Sequence, residues 1–222
     1  MPRRLALILA LGLTPAQAQE PNLSPELRAL PGGAASQLVL AQRLFRTATG
    51  TGDPVLLLAA IRLARGVTVR PAVGWERAAG DEGEAPQVGG PPDPGSAAAL
   101  AMLQGLAVDD PDLQDLVYDL DAQLPHGRLP VATVAKSGLG GGAGEEWRLP
   151  LSGSVSAEIA VIGDDGSKLG LSVTDESGAV ACARPATTDP ALCRFTPARN
   201  GFFRVRVRNE GAEATGYMLI GN

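Results

Sequence analysis

The spacing of apolar residues divides this chain into a helical half and a strand half. From Ala34 to Ala48, the residues Leu38, Ala41, Leu44, Phe45 and Ala48 recur at intervals of three and four, which makes one apolar stripe of an amphipathic helix. Thr49-Gly50-Thr51-Gly52 ends it. Asp53-Pro54 then supplies a cap with proline at the first helical position. The helix that follows to Arg65 is apolar nearly all round: Val55, Leu56, Leu57, Leu58, Ala59, Ala60, Ile61 and Leu63. A helix with so little polar surface is expected between neighbours, with Gly66 just past its C-terminus. Ser96 caps a third expected helix, running through Leu106. Asp110-Pro111 opens a fourth with Leu113, Leu116, Val117 and Leu120 on one face. Two antiparallel helix pairs are predicted, over residues 34–66 and 96–123. Ser24-Pro25-Glu26 is a further helix start.

Residues 70–94 interrupt the pattern. They are rich in Pro and Gly, include the acidic cluster Asp81-Glu82-Gly83-Glu84, and read as a long mobile loop. Trp75 within it is expected to dock as a lid over the helical core; a ligand-stacking role is the sharper alternative. Pro125-His126-Gly127-Arg128 reads as an inter-domain link. Beyond it the period falls to two. Strands are expected at 131–134, 147–151, 155–162, 169–173, 179–183, 192–195, 202–207 and 216–220. Phe203, Val205 and Val207 alternate with Arg204, Arg206 and Arg208, so one face is buried and the other charged. About eight short strands with polar turns point to an antiparallel sandwich. The fold class is therefore α+β: N-terminal α-helical hairpins followed by a C-terminal antiparallel β-sandwich, jelly-roll-like. The expected division is a helical domain at 19–124, a link at 125–128 and a sandwich at 129–222.

The N-terminus changes the picture of where the protein works. Arg3 and Arg4 precede an apolar run from Leu5 to Leu13, and Ala16-Gln17-Ala18 offers a small-x-small cleavage site. That is the layout of a secretory signal peptide over residues 1–18, and the run is too short to span a bilayer. A soluble periplasmic or secreted product is expected. Cleavage takes the formal charge from −5 to −7, because Arg3 and Arg4 leave with the leader. An acidic chain without a basic block argues against nucleic acid and anionic membrane surfaces as partners. Cys182 and Cys193 are the two cysteines. In an exported protein an even count reads as a disulfide.

Several stretches together carry a family resemblance. They are Ala160-Val161-Ile162-Gly163-Asp164, Leu169 through Gly178, Cys182 with Cys193, Phe195-Thr196-Pro197, Gly201 through Val207 leading to Asn209-Glu210-Gly211, and Tyr217-Met218-Leu219. In this order the segment 129–222 resembles the bacterial pre-peptidase C-terminal domain, a β-sandwich module appended to secreted peptidases. The resemblance implies an accessory or binding role rather than proteolysis, since the upstream half lacks a protease pattern. Such domains often carry alternating acids at the turn after the second core strand. Here Lys168 and Gly170 stand where later acids would be, so an acidic turn facing water is favoured over calcium at Asp164, Asp165 and Asp175. The paired helices weakly resemble tetratricopeptide hairpins, without that repeat's full residue pattern.

Candidate catalytic chemistry is sparse. His126 is the single histidine, which excludes paired-histidine zinc motifs, and no Gly-x-Ser-x-Gly elbow exists to serve a triad. The glycine-rich stretch 138–144 lacks the strand-then-helix setting of a phosphate cradle. Glu145-Glu146 and Asp109-Asp110 are acid pairs by adjacency alone. Adjacent acids in a strand face opposite ways, and Asp110 looks like a cap. No catalytic residue, metal ligand or cofactor is assigned. The expected function is non-catalytic binding or scaffolding in the cell envelope, through protein or glycan contacts. The rivals are a carboxylate-dependent hydrolase of envelope polymer and a purely structural or secretion-assisting module. Candidate contact residues are Trp75 and the arginines Arg204, Arg206 and Arg208, whose alternative role is a solvated face or a guard against edge pairing.

Overall fold

The computed structural model describes residues 20–24, 32–78, 89–122 and 129–222. The leader at 1–18, the helix start beyond Ser24, the acidic cluster at 81–84 and the link at 125–128 with His126 lie outside the described residues.

Among the described residues four helices form: α1 (Ala34–Thr51), α2 (Pro54–Arg65), α3 (Ala97–Leu106) and α4 (Pro111–Ala122). Their ends follow from local chemistry. The Asp53 carboxylate accepts from the Val55 and Leu56 amides at 2.9 and 3.1 Å, Ser96 Oγ from Ala99 at 3.2 Å and Asp110 from Leu113 at 3.0 Å. Each such cap stabilises its helix by about 1 kcal/mol. Gly52 closes α1 at φ 70°, a conformation that costs a side chain roughly 1–2 kcal/mol. Gly66 ends α2 differently, at φ −76°. Its constraint is steric: a Cβ there would lie 2.8 Å from Gln37 Nε2, which donates to the Leu63 carbonyl.

Helix α2 packs between α1 and α3, as its apolar circumference requires. Phe45, Leu57, Ile61, Leu100, Leu103 and Val117 share one core. Helix α1 departs from the expected single stripe because it serves two cores. Phe45 and Ala48 face the other helices, while Ala34, Ala35, Leu38 and Val39 pack on Ala132, Val134, Ala160, Ile162 and Ile220 of the strand region.

Among the described residues ten strands form two sheets. Two come from the helical half: β1 (Thr68–Pro71) and β2 (Glu76–Arg77). Eight follow: β3 (Val131–Leu139), β4 (Gly144–Leu151), β5 (Ala157–Gly163), β6 (Leu169–Thr174), β7 (Val180–Thr187), β8 (Ala191–Phe195), β9 (Gly201–Asn209) and β10 (Thr215–Gly221). The first sheet runs β1-β3-β10-β5-β8 and the second β2-β4-β9-β6-β7. Pairing is antiparallel except for β1 on β3. Without β1 and β2, the order 3-10-5-8 over 4-9-6-7 is a jelly roll. Ile159, Val161 and Leu219 from one sheet meet Leu149, Leu171, Val173, Phe203, Val205 and Val207 from the other. Each such side chain contributes about 1.5–3 kcal/mol on full burial. Strand β5 is buried at every position, since its inner face meets this core and its outer face meets α1.

Both open edges of the sandwich are closed. At one, Cys182 of β7 is bonded to Cys193 of β8, tying the second sheet to the first across 5.8 Å between Cα atoms. A loop this short gives roughly 3 kcal/mol in the chain-entropy picture. At the other, residues 68–77 form a strap. Its β1 end adds to β3, its β2 end adds to β4, and Trp75 lies between them against the sandwich core. Part of the segment read as a loop is therefore paired strand. Trp75 also docks elsewhere than expected: on the sandwich, over Gly221, rather than on the helical core. A Cβ at Gly221 would come within 2.9 Å of the indole, so glycine there makes room for the ring. Among the described residues no helix is long and apolar enough to cross a membrane.

Candidate functional site

The outer faces of the two sheets have different fates. That of the first is covered by α1. Glu158 on β5 accepts from the Gly33 amide at 2.9 Å, the Ser36 amide at 3.0 Å and Ser36 Oγ at 2.5 Å, and pairs with Arg194 at 3.1 Å. Gly33 has no side chain to cap α1, so this carboxylate from the sandwich holds the helix N-terminus. Burial acts to raise its pKa, but the Ser36 hydroxyl, the two amides and Arg194 outweigh that and hold it below the usual glutamate value. At the far side, Arg46 donates to the Thr188 and Gly163 carbonyls and pairs with Asp165 at 3.0 Å. Arg43 donates to Pro190.

The outer face of the second sheet carries no helix among the described residues. Its centre is β9, flanked by β4 and β6. The strand period sends Phe203, Val205 and Val207 inward and Arg204, Arg206 and Arg208 outward. The edge-guard alternative for these arginines is overturned, because β9 is not an edge strand. At about 3.3 Å rise per residue the ridge spans roughly 13 Å. On the β4 side, Arg204 lies opposite Arg148, and Arg206 opposite Glu146. On the β6 side, Arg204, Arg206 and Arg208 lie opposite Thr174, Ser172 and Gly170. The Arg148 guanidinium stacks on the Phe202 ring at 3.6 Å and pairs with Glu76 at 2.9 Å. Arg204 sits 3.8 Å from Glu146. Both ion pairs are exposed, so each contributes at most about 1 kcal/mol and exchanges readily for a ligand's anion.

Beside this ridge the small side chains of β6 and β7 leave a trough of about 270 Å³, floored by Gly170, Ser172, Ala183 and Ala186 and flanked by Arg206 and Arg184. At Glu210 it opens into a second hollow of about 460 Å³ between the β5–β6 and β9–β10 loops. That hollow carries Asp164, Asp165, Glu210 and Glu213 against Lys168, and it repels an anion. The trough and the ridge are the basic part of the surface.

The buried acids serve the fold. Glu145 points inward, 2.5 Å from Arg77 Nε of the strap, and accepts from Trp147 Nε1 at 3.2 Å. The same indole donates to Tyr217 Oη at 2.8 Å. Glu146 faces outward, so the pair points in opposite directions as expected. Asp110 caps α4. Asp175 accepts from the Asn22, Ser177 and Ala179 amides and from Ser177 Oγ. Burial opposes its ionisation, and these donors, Ser177 Oγ foremost, lower its pKa nonetheless. The three candidate calcium ligands do not converge. Asp164 and Asp165 precede β6 and Asp175 follows it, which places them roughly 20 Å apart. Among the described residues no group of three or more acid, His or Cys side chains is placed to hold a metal.

The structure thus sets Trp75 apart from the arginines: it lines the β3–β4 edge, whereas they cross the outer face. Phe202, Arg148, Arg184 and the β6–β7 trough were not legible beforehand. Their meeting depends on which strands pair, and the only local hint was Phe202 in phase with the arginines.

No protein-family model matches the chain. No curated protein matches it. Among solved structures, the chain is similar to the pre-peptidase C-terminal domain of a collagenase from Bacillus anthracis, at 19% identity over 40% of this chain and 88% of that one, with a TM-score of 0.36. It is also similar to the C-terminal carbohydrate-binding module of a laminarinase from Zobellia galactanivorans, at 10% identity over 40% and 88%, with a TM-score of 0.28. A third similarity is to TmCBM61, solved with beta-1,4-galactotriose, at 14% identity over 40% and 69%, with a TM-score of 0.27.

Proposed function

We propose that this is an exported, non-catalytic binding protein whose ligand face is the outer side of the second sheet, and that the ligand is an extended anionic glycan. One observation carries the reading: an arginine ridge on β9 runs beside a trough floored by Gly170, Ser172 and Ala183, on the sheet face that α1 leaves open. Guanidinium groups bind carboxylate or phosphate oxygens in bidentate fashion. Small floor residues let a flat chain approach the backbone, and Ser172 and Thr174 offer hydroxyl partners. Phe202, held under Arg148, adds an aromatic surface at one end. The buried carboxylates Glu145, Glu158 and Asp175 are occupied by structural contacts. The Cys182–Cys193 bond suits an oxidising compartment.

Calorimetric titration with oligogalacturonate, against neutral cellohexaose as control, tests the reading. Oligogalacturonate is expected to bind with an affinity that falls as salt rises. Arg204→Ser with Arg208→Ser is expected to weaken it by at least about tenfold, since each charged hydrogen bond contributes roughly 1.5–3 kcal/mol. Equal binding of both sugars, or an unaffected variant, refutes the assignment.

A further inference from the structure

The charges along the open face of the second sheet are not equally available. Arg148 has Glu76 at 2.9 Å, and Arg204 has Glu146 at 3.8 Å. Arg208 has no ion-pair or hydrogen-bond partner among the described residues. An anion arriving at Arg148 or Arg204 must displace a carboxylate, whereas one arriving at Arg208 displaces water alone. The strands beside Arg208 also leave room. Its cross-strand neighbours are Gly144 on β4 and Gly170 on β6, so no side chain stands directly opposite it on either flank. The fold does not require glycine at 170. A Cβ there would meet nothing closer than the Ala186 amide nitrogen at 3.5 Å, an ordinary contact. The β6–β7 register slips at this point, but Gly170 lacks the positive φ of the bulge that demands glycine. A glycine inside a strand without such a cause marks a place where another molecule comes close to the backbone.

Beyond Arg208 the surface changes sign. The chain turns at Glu210 into the hollow where Glu213, Asp164 and Asp165 face Lys168 alone. A further anion there meets carboxylates. Beyond Arg204, at the opposite end, lies the Phe202 ring under Arg148, whose charge Glu76 already balances. The end of the face at Arg208 thus offers an unopposed cation with a clearing around it and a barrier past it.

We propose that this face recognises the end of a glycan chain capped by one acidic sugar. The terminal carboxylate pairs with Arg208, its ring lies over Gly170, and the neutral residues behind it run along the ridge towards Phe202. The inference rests on the reading of this face as a glycan site and narrows the ligand from any anionic chain to an acid-capped one. Charge placement sets the specificity: an acid in mid-chain would either compete with Glu146 for Arg204 or, if seated on Arg208, push the rest of the chain into the acidic hollow.

The test is calorimetric titration of the mature full-length chain with cellopentaose carrying one glucuronic acid at a terminal ring, each end in turn, and with the same pentamer carrying it at the central ring. Neutral cellopentaose and oligogalacturonate are the controls. One terminal-acid chain is expected to bind about tenfold or more tighter than the central-acid chain. Arg208→Ser should abolish that preference, while Arg204→Ser keeps it. Gly170→Ala should keep the melting temperature of the parent and weaken the terminal-acid complex severalfold. Glu210→Gln with Glu213→Gln should narrow the gap between terminal and central acids, because the barrier is gone. Equal affinity for terminal and central acids, or a preference that survives Arg208→Ser, overturns the proposal while binding of oligogalacturonate upholds the glycan reading. Failure of every acidic chain, oligogalacturonate included, overturns both.

Discussion

Replacing Glu158 with alanine removes the contact that fastens the N-terminus of α1 to the sandwich. The side chain is 5% exposed and accepts three hydrogen bonds, two from backbone amides that no helix carbonyl can satisfy. Loss of a cap costs about 0.5–2 kcal/mol. Breaking charged, buried hydrogen bonds costs about 1.5–3 kcal/mol, and the two figures overlap. A loss of about 3 kcal/mol is expected, which lowers the melting temperature by about 6–12 °C for a protein of this size. The sign of the pH effect follows from the lowered pKa. The ionised Glu158 stabilises the fold fully above the unfolded glutamate value of about 4.3, and that contribution is lost as pH falls through the lower folded value. The gap between parent and variant should therefore be widest near neutrality and shrink in acid. Thermal unfolding across this range, with amide exchange at Gly33 and Ser36, measures both. A difference below about 2 °C at neutral pH, or one of equal size in acid, refutes the account of how α1 is held.

Trp75→Ala should open the β3–β4 edge and cost about 2 kcal/mol, the scale of a half-buried aromatic, read by chemical denaturation. Exchange at the Ala78 amide, which donates to the Glu146 carbonyl, should rise with it. Cys182→Ser with Cys193→Ser should cost about 3 kcal/mol and loosen the β7–β8 edge while the strap edge keeps its protection. Asp175→Asn should release residues 20–24, seen as faster exchange at Ser24, whose amide donates to the Thr196 carbonyl. Because the Asp175 pKa is lowered, the parent should keep this tether through the usual aspartate value of about 3.9 and lose it as pH falls through the lower folded value.

Periodicity located nearly every regular element of this chain because local chemistry decided them. Asp53, Ser96 and Asp110 cap helices where they were expected to, and Phe203, Val205 and Val207 fill the core as their alternation requires. The misjudged positions were those whose partners are distant in sequence. Strap residues 68–77 carry Gly and Pro and look like loop, yet the edges of β3 and β4 supply hydrogen bonds that local propensity does not foresee. The two-faced burial of α1 was hidden for the same reason. So was the reason for β5 being buried throughout, which is the docking of a helix on the outside of the sandwich. The arginines of β9 were legible as one face. Their central place in the sheet and the trough beside them were not, because strand order in a jelly roll follows from the closed fold and not from any single segment.

The most direct test of the central claim is to follow the arginine side-chain Nε–H and backbone amide resonances of the mature protein during titration with oligogalacturonate. The account predicts concerted shifts at Arg204, Arg206 and Arg208 together with the Gly170, Ser172 and Ala183 amides, and no change along α3 and α4. Shifts confined to the acidic loop hollow around Asp164 and Glu213, or to the helices, would contradict it.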